Sequence, residues 1–255
     1  SWTTFRRALS SFFGNWLGGA WGYRIPFFIT GLLMFLVFLG TTFFVHEEFT
    51  PISREKMKPM NEIMKSLPSV KLIIVMFITT MLVQSSTMSI DPIVSLYVKS
   101  MMTDGKNVAL VAGVVAATPG LGTLIAASKI GHKMDEVGPL RVLRIGLIVG
   151  FILFIPMALT NNPWVLAGLR FLLGIASAGM LPAAQTVLTL NTPSESFGRI
   201  FSYNQSFQAI GAVVGSLMGS MISGLSNYAT VFWVTGFTLL LNFILVLIFA
   251  WGISY

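Results

Sequence analysis

Two charged residues, Asp91 and Arg170, lie inside otherwise apolar stretches of this chain. An ionised side chain in apolar surroundings is costly, so such residues are functional candidates by default. A carboxylate and a guanidinium could form an ion pair that changes when the carboxylate takes up a proton. We expect either such a pair, acting as a gate or a proton-coupling site, or two separate structural roles. In the second case Asp91 ends its helix before Pro92, and Arg170 extends its head group to the membrane surface.

Amide side chains in similarly apolar stretches are the candidates for binding a ligand: Gln84, Gln185, Asn204, Gln205 and Gln208. Asn204 and Gln208 are one helical turn apart and share a face, whereas Gln205 lies about 100° away. These groups could orient a mostly apolar ligand, with Phe201, Tyr203 and Phe207 nearby for stacking. Alternatively, they only join helices through hydrogen bonds worth about 1 kcal/mol or less each.

The elements that hold these residues are predicted to be membrane-spanning helices. Hydrophobic residues make up 55% of the 255-residue chain and charged residues only 10%, whereas soluble domains carry roughly 25% charged residues. A helix crosses a bilayer in about 20 apolar residues. Windows of this kind lie near 25–45, 71–98, 108–128, 140–160, 163–190, 200–224 and 228–251, with a weaker one near 8–22. The sequence therefore predicts an all-α polytopic membrane protein.

Basic residues between these windows set the orientation. One side of the membrane would hold Arg6, Arg7, Arg54, Lys56, Lys58, Lys65, Lys71, Lys129, Lys133, Arg141, Arg144 and Arg199. The other side would hold only Arg24, Lys99 and Lys106. By the positive-inside rule, the first side is cytoplasmic, including the long polar linker 46–70. The net charge of +7 is thus a topology signal and not a sign of nucleic-acid binding. Counting inward from Lys71 and from Pro163 places Asp91 and Arg170 at similar depth, near the outer face.

Other chemistry finds little support in the sequence. The chain has no Cys and only two His, which do not have the spacing of metal ligands. No loop resembles a phosphate-binding motif, and the adjacent carboxylates Glu47–Glu48 and Asp135–Glu136 stand beside basic residues. We therefore expect no enzyme activity, no metal and no cofactor.

A short cytoplasmic connection is predicted between the windows at 108–128 and 140–160. There Gly131, Asp135 and Gly138 are followed by Arg141. Taken alone, this is either an ordinary polar turn or a functional loop in which the carboxylate caps a neighbouring helix or pairs with Arg. Its spacing and place resemble the Gly-x-x-x-Asp-x-x-Gly loop of the major facilitator superfamily. Arg170–Gly174 is similar to the Arg-containing signature of the fourth helix of a facilitator half, and Gly211–Gly219 to the Gly-rich antiporter signature of the fifth.

A narrower resemblance rests on the stretches Gly198–Phe207, Leu169–Gly174 and Leu181–Thr186, which look like those of multidrug efflux transporters in this superfamily. It implies exchange of protons for amphipathic drug-like molecules by alternating access between two six-helix bundles. It also implies that the first and fourth helices of a half line the pathway, where Asp91 and Arg170 could meet. A facilitator that imports a small nutrient is the alternative within the same superfamily.

An internal repeat indicates which helices are present. Ser11, Gly14, Gly19, Tyr23, Phe27, Thr30, Gly31, Leu36 and Phe38 recur in the same order and spacing as Ser216, Gly219, Gly224, Tyr228, Phe232, Thr235, Gly236, Leu241 and Phe243. Parallel repeats of this kind are typical of facilitator halves. We expect 1–45 to end the amino-terminal half, 46–70 to be a linker and 71–255 to be the carboxyl-terminal six-helix bundle. The first four helices, required for full transport, would be missing, so the chain is a fragment or a truncated, non-transporting remnant.

Overall fold

The structure, a computed structural model, describes residues 24–44, 69–102 and 107–249, and these are helical throughout except for short connections. The helices are α1 (Arg24–Phe44), α2 (Val70–Ile90), α3 (Val94–Met101), α4 (Val108–Val137), α5 (Pro139–Leu159), α6 (Pro163–Ser177), α7 (Met180–Leu190), α8 (Phe197–Leu225) and α9 (Tyr228–Phe249). No strand occurs within these ranges. The all-α class is therefore confirmed.

Six segments of the described chain are long and apolar enough to cross a membrane. They are Val70–Ile90, Val108–Val137, Pro139–Leu159, Pro163–Leu190, Ser194–Leu225 and Tyr228–Phe249. Helix α1 adds a shorter apolar stretch, Phe27–Phe43, of which no side chain is fully buried. The prediction of a polytopic membrane protein is confirmed. The predicted span near 8–22 and the linker 46–70 lie outside the described residues, apart from its last two positions.

Two predicted spans are interrupted, and a proline accounts for each break. The stretch 71–98 divides into α2 and α3 at a turn over Asp91–Ile93. The stretch 163–190 divides into α6 and α7 at Ala178–Gly179. Because Pro92 and Pro182 have no N–H, neither can close the helical bond to the carbonyl four residues earlier. Pro182 is accommodated in the first turn of α7, where N–H groups have no helical partner.

The glycine-bounded connection is shorter than predicted. Helix α4 continues through Gly131 and Asp135 to Val137, and only Gly138 separates it from α5. Gly138 has a φ of 88°, a left-handed conformation that favours glycine. Pro139 then starts α5 with its preset φ. The prediction that Gly131 and Asp135 lie in a loop was wrong, because the helix closes its hydrogen bonds up to the turn that Gly138 makes.

Glycines bring α2 and α8 into backbone contact. A Cβ added to Gly211, Gly215 or Gly219 would collide with a carbonyl oxygen of α2. The oxygens met are those of Met81, Ser85 and Ser89, which follow the same four-residue step. Both helices therefore run in the same direction and approach closely along this glycine series, as small residues between membrane helices allow.

A second close contact joins α4 to α6. A Cβ at Gly174 would collide with the Pro119 carbonyl oxygen, and one at Gly122 with that of Phe171. The Thr123 hydroxyl lies 2.9 Å from the carbonyl oxygens of both Pro119 and Gly174. Helix α5 packs against α9, where Gly150 meets Leu239 and Gly236 meets Phe154. The contacts of α2 with α8 and of α4 with α6 thus hold the two helices that position the charged residues, α2, which ends at Asp91, and α6, which carries Arg170.

Candidate functional site

Asp91 lies at the break between α2 and α3. It is the C-cap of α2 and comes directly before Pro92. Its side chain is 45% exposed, so the carboxylate is accessible from one side. The structural role that we considered from the sequence, in which Asp91 ends its helix, therefore describes its position correctly.

Arg170 is deeply buried on α6, with only 4% of its side chain exposed. Its Nη2 lies 3.5 Å from Oδ1 of Asp91, which makes an ion pair between α6 and the end of α2. The alternative in which Arg170 extends to the membrane surface is wrong, because the guanidinium points into the bundle. The two charges meet as the ion-pair hypothesis requires, and the gating or coupling role of the pair stays a prediction.

A proline on α4 explains how Arg170 is held. The Nε of Arg170 donates a hydrogen bond of 3.1 Å to the carbonyl oxygen of Val115. In an uninterrupted helix this oxygen would accept from the N–H of residue 119, but Pro119 has none. The Thr118 hydroxyl also lies 2.9 Å from the same oxygen. Pro119 therefore leaves an acceptor for a buried cation without breaking α4.

A cavity of about 70 Å³ adjoins the ion pair. It is lined by Val83, Ser86, Thr87, Ile90, Asp91, Pro119, Phe154, Arg170, Leu173, Ser177, Met180 and Leu239. These residues come from α2 and its cap and from α4, α5, α6, α7 and α9. The cavity thus lies among the helices of the bundle, with the two charged groups as part of its wall.

The predicted amides differ in how far they are buried. Asn204 is fully buried on α8, and its Oδ1 lies 2.7 Å from the Thr80 hydroxyl on α2. Gln205 is exposed on α8, whereas Gln84, Gln185 and Gln208 are half-buried. The alternative in which an amide only joins two helices through a hydrogen bond therefore describes Asn204 in this structure. Gln205 has the accessibility that ligand contact requires.

Two of the three predicted aromatic partners already stack on other rings. Phe207 stacks on Phe77 with ring centroids 5.3 Å apart. Phe201 stacks on Phe197 at 4.9 Å. Tyr203, also on α8, is 46% exposed. Of the three rings predicted near the amides, Tyr203 is the most accessible to a ligand.

Sequence reasoning missed a buried polar layer between α2, α8 and α9. Thr79, Thr80, Asn204 and Asn242 are all fully buried. The Nδ2 of Asn242 donates to the Thr79 carbonyl oxygen at 3.3 Å. The serine- and threonine-rich pattern of α2 was the available signal, since hydroxyls inside a span commonly join helices.

The predicted signature residues lie at the other end of α4 and the start of α5. Asp135 and Arg141 are exposed, and Gly131 and Gly138 are half-buried. No side chain caps the start of α5, so Asp135 does not act as its N-cap. Within the described ranges, no group of three or more His, Asp or Glu side chains could hold a metal ion.

Comparison with known proteins identifies the family. The model of the Major Facilitator Superfamily matches residues 76–253, which include both charged residues and nearly all of the bundle. The chain belongs to the Major Facilitator Superfamily. The resemblance of the short signatures to this superfamily is therefore confirmed, together with a multi-pass location in the cell membrane.

Relatives within the superfamily are called multidrug resistance proteins. The chain is 43% identical over 229 residues to "Multidrug resistance protein MdtG" of Salmonella dublin. It is equally similar to the protein of that name in Salmonella typhimurium, and 42% identical to that of Salmonella arizonae. Each comparison covers 90% of this chain but only 57% of the relative. The chain thus spans somewhat more than half the length of these curated relatives.

Proposed function

We propose that this chain works as the carboxyl-terminal part of a twelve-helix transporter that exports amphipathic drugs in exchange for protons. The similarity to proteins named for multidrug resistance supports the substrate class. The observation that carries the proton coupling is the pairing of buried Arg170 with half-exposed Asp91 at a helix break.

Protonation of Asp91 would be coupled to the conformation of the bundle, because a buried charge without a partner is energetically unfavourable. When the Asp91 carboxylate takes up a proton it becomes neutral, whereas Arg170 stays cationic. Arg170 is then left with the Val115 carbonyl but without a counter-charge. A buried charge that loses its partner is strongly destabilised. The protonated protein therefore favours an arrangement in which α6 moves relative to the end of α2.

The chain has the means for such a movement. Asp91 stands where α2 ends, and Pro92 removes the hydrogen bond that would join α2 to α3. A break of this kind absorbs a change of angle at low cost. The exposed Gln205 on α8 would contact the drug on the surface that the alternating arrangement exposes.

The test uses the full-length protein in liposomes, with Asp91→Asn as the variant. The amide keeps the size of the side chain and removes the charge that titrates. We expect drug uptake driven by a pH gradient to be lost, while drug binding at equilibrium persists. Glu136→Gln is the matched control, because Glu136 is an exposed carboxylate paired with Lys133 at 2.8 Å near the end of α4. Drug transport by Asp91→Asn with an unchanged proton dependence would refute the coupling role.

A further inference from the structure

Helices α1 and α9 are the corresponding parts of the two copies of the internal repeat. Each residue of α1 has its counterpart 205 positions later, so Phe27 corresponds to Phe232 and Gly31 to Gly236. Copies of a parallel repeat pack in related ways, so they bury the same face of the helix. The contacts of α9 therefore indicate which face of α1 is suited to packing.

One face of α9 is buried in the bundle and consists of Val231, Phe232, Thr235, Gly236, Leu239, Asn242 and Val246. The ring of Phe232 lies 5.2 Å from the ring of Tyr97 on α3. The Thr235 hydroxyl lies 2.8 Å from the Ser89 hydroxyl on α2. A Cβ added to Gly236 would lie 3.0 Å from the Cβ of Phe154 on α5. This face of α9 therefore packs against two aromatic side chains and a hydroxyl group.

The corresponding face of α1 is largely uncovered. Its residues Phe27, Gly31, Met34, Val37 and Thr41 are exposed, and Thr30 is half-buried. Phe27 is 77% exposed, whereas its counterpart Phe232 is fully buried. A Cβ added to Gly31 meets nothing within 4 Å among the described residues. Because these positions recur every three to four residues, they form one continuous side of the helix.

The order of the helices indicates what covers this side. The helices that cover α9, namely α2, α3 and α5, all precede it in the chain. By the same order, the helices that cover α1 precede α1. The curated relatives are long enough to include them, since this chain covers only 57% of their length.

The two copies differ at one level of the buried face. Asn242 of α9 donates a hydrogen bond of 3.3 Å to the Thr79 carbonyl oxygen of α2. Its counterpart on α1 is Val37, which has no polar group in its side chain. The surface that covers α1 is therefore apolar at the level of Val37, and α1 could not replace α9 on α2 without losing this hydrogen bond.

We propose that the side of α1 formed by Phe27, Gly31, Met34 and Val37 is a docking surface for transmembrane helices that precede this chain in the full-length transporter. Those helices place an aromatic side chain over Gly31 and apolar side chains against Val37. The docking surface rests on the twelve-helix arrangement of the proposed function but not on its proton coupling. The other side of α1 faces lipid and includes Leu32, Leu36 and Phe43, whose counterparts Phe237, Leu241 and Ile248 are exposed on α9.

The first test maps the neighbours of both sides of α1 in the full-length protein in membranes. A photoreactive phenylalanine analogue replaces Phe27 or, as the matched control, Phe43, which is 71% exposed on the lipid side. After irradiation, crosslinked peptides are identified by mass spectrometry. We expect crosslinks from position 27 to residues that precede Ser1 and none to protein from position 43. Crosslinks from position 27 to residues 71–255 or to a second copy of the protein, or none at all, would overturn the proposal.

The second test blocks the docking surface at its glycine. Gly31→Leu fills the space over which the aromatic side chain packs, and Gly31→Ala is the smaller change if the leucine variant fails to fold. Gly40→Leu is the control, because its counterpart on α9 is already a leucine, Leu245. We expect Gly31→Leu to abolish the crosslink from position 27 and Gly40→Leu to retain it. Equal crosslinking in both variants would refute the docking surface. Drug uptake by Asp91→Asn reports on proton coupling alone, so the two proposals can fail separately.

Discussion

The Nε of Arg170 and the carbonyl oxygen of Val115 are 3.1 Å apart, and the proline one turn later makes this contact available. The acceptor belongs to α4, the donor to α6 and the counter-charge Asp91 to the end of α2. A single guanidinium therefore ties three helices together. The stability of the bundle should depend on each of its partners in a different way.

The role of Pro119 can be separated from its effect on the helix. Replacing a helix-interior proline by alanine ordinarily stabilises a helix, by up to about 3 kcal/mol. Pro156→Ala in α5 should show this gain, because Pro156 is exposed inside its helix. Pro119→Ala should gain about 1.5–3 kcal/mol less, since its new N–H competes with Arg170 for Val115. Thermal unfolding in detergent measures both. Equal gains would contradict the role of the Val115 carbonyl.

The two partners of the ion pair should differ in what their loss costs. Asp91→Leu leaves a buried guanidinium without a counter-charge, whereas Arg170→Met leaves a carboxylate that is 45% exposed and still hydrated. We expect Asp91→Leu to be the more destabilising change, by up to about 3 kcal/mol. The double variant should recover much of that loss. Unfolding curves of the three variants decide this, and a larger cost for Arg170→Met would contradict the burial asymmetry.

The glycines of α8 should be intolerant of the smallest side chain. Gly215→Ala places a methyl group against the Ser85 carbonyl oxygen, so α2 and α8 must separate. We expect a loss of about 1–3 kcal/mol in the free energy of unfolding. Gly224→Ala on the same helix meets nothing within 4 Å and is the control. It should be neutral or slightly stabilising. Equal effects at both positions would show that the backbone contact is unimportant.

Asn204 and Gln205 are neighbours in sequence and should differ in phenotype. Thr80→Val removes the hydroxyl 2.7 Å from Asn204 and should destabilise the protein by about 0.6–1.7 kcal/mol, the range for hydrogen bonds between membrane helices. Gln205→Leu should leave the melting temperature unchanged and weaken drug binding, because that side chain is exposed. Binding titrations together with melting curves test the pair. A stability loss in Gln205→Leu as large as that in Thr80→Val would contradict this division.

The helices and their order were predictable, because the bilayer imposes a simple requirement on the sequence. Any segment that crosses it must be apolar for about 20 residues, and every backbone group must be bonded within its own helix. The predicted window 140–160 corresponds closely to α5. The glycine series of α8 carries a similar regularity, since a four-residue period places its glycines on one helix face. The predicted helix boundaries were wrong at two places. At Asp135 a polar surface stretch continues the helix, and at Ala178 the helix breaks before the proline that causes the break.

Of the candidate site, the sequence by itself determined that Asp91 and Arg170 are charged residues of apolar spans at similar depth. It also determined that the chain is an all-α membrane protein of a recognisable superfamily. Only the tertiary structure decided that Arg170 turns inward to Asp91 and Val115, that the Oδ1 of Asn204 accepts a hydrogen bond from Thr80, and that a cavity adjoins the ion pair. The physical reason is that composition and periodicity report the environment of a residue along its own helix. The partner of a polar group depends on which helices pack together, and that is set by contacts far apart in the chain.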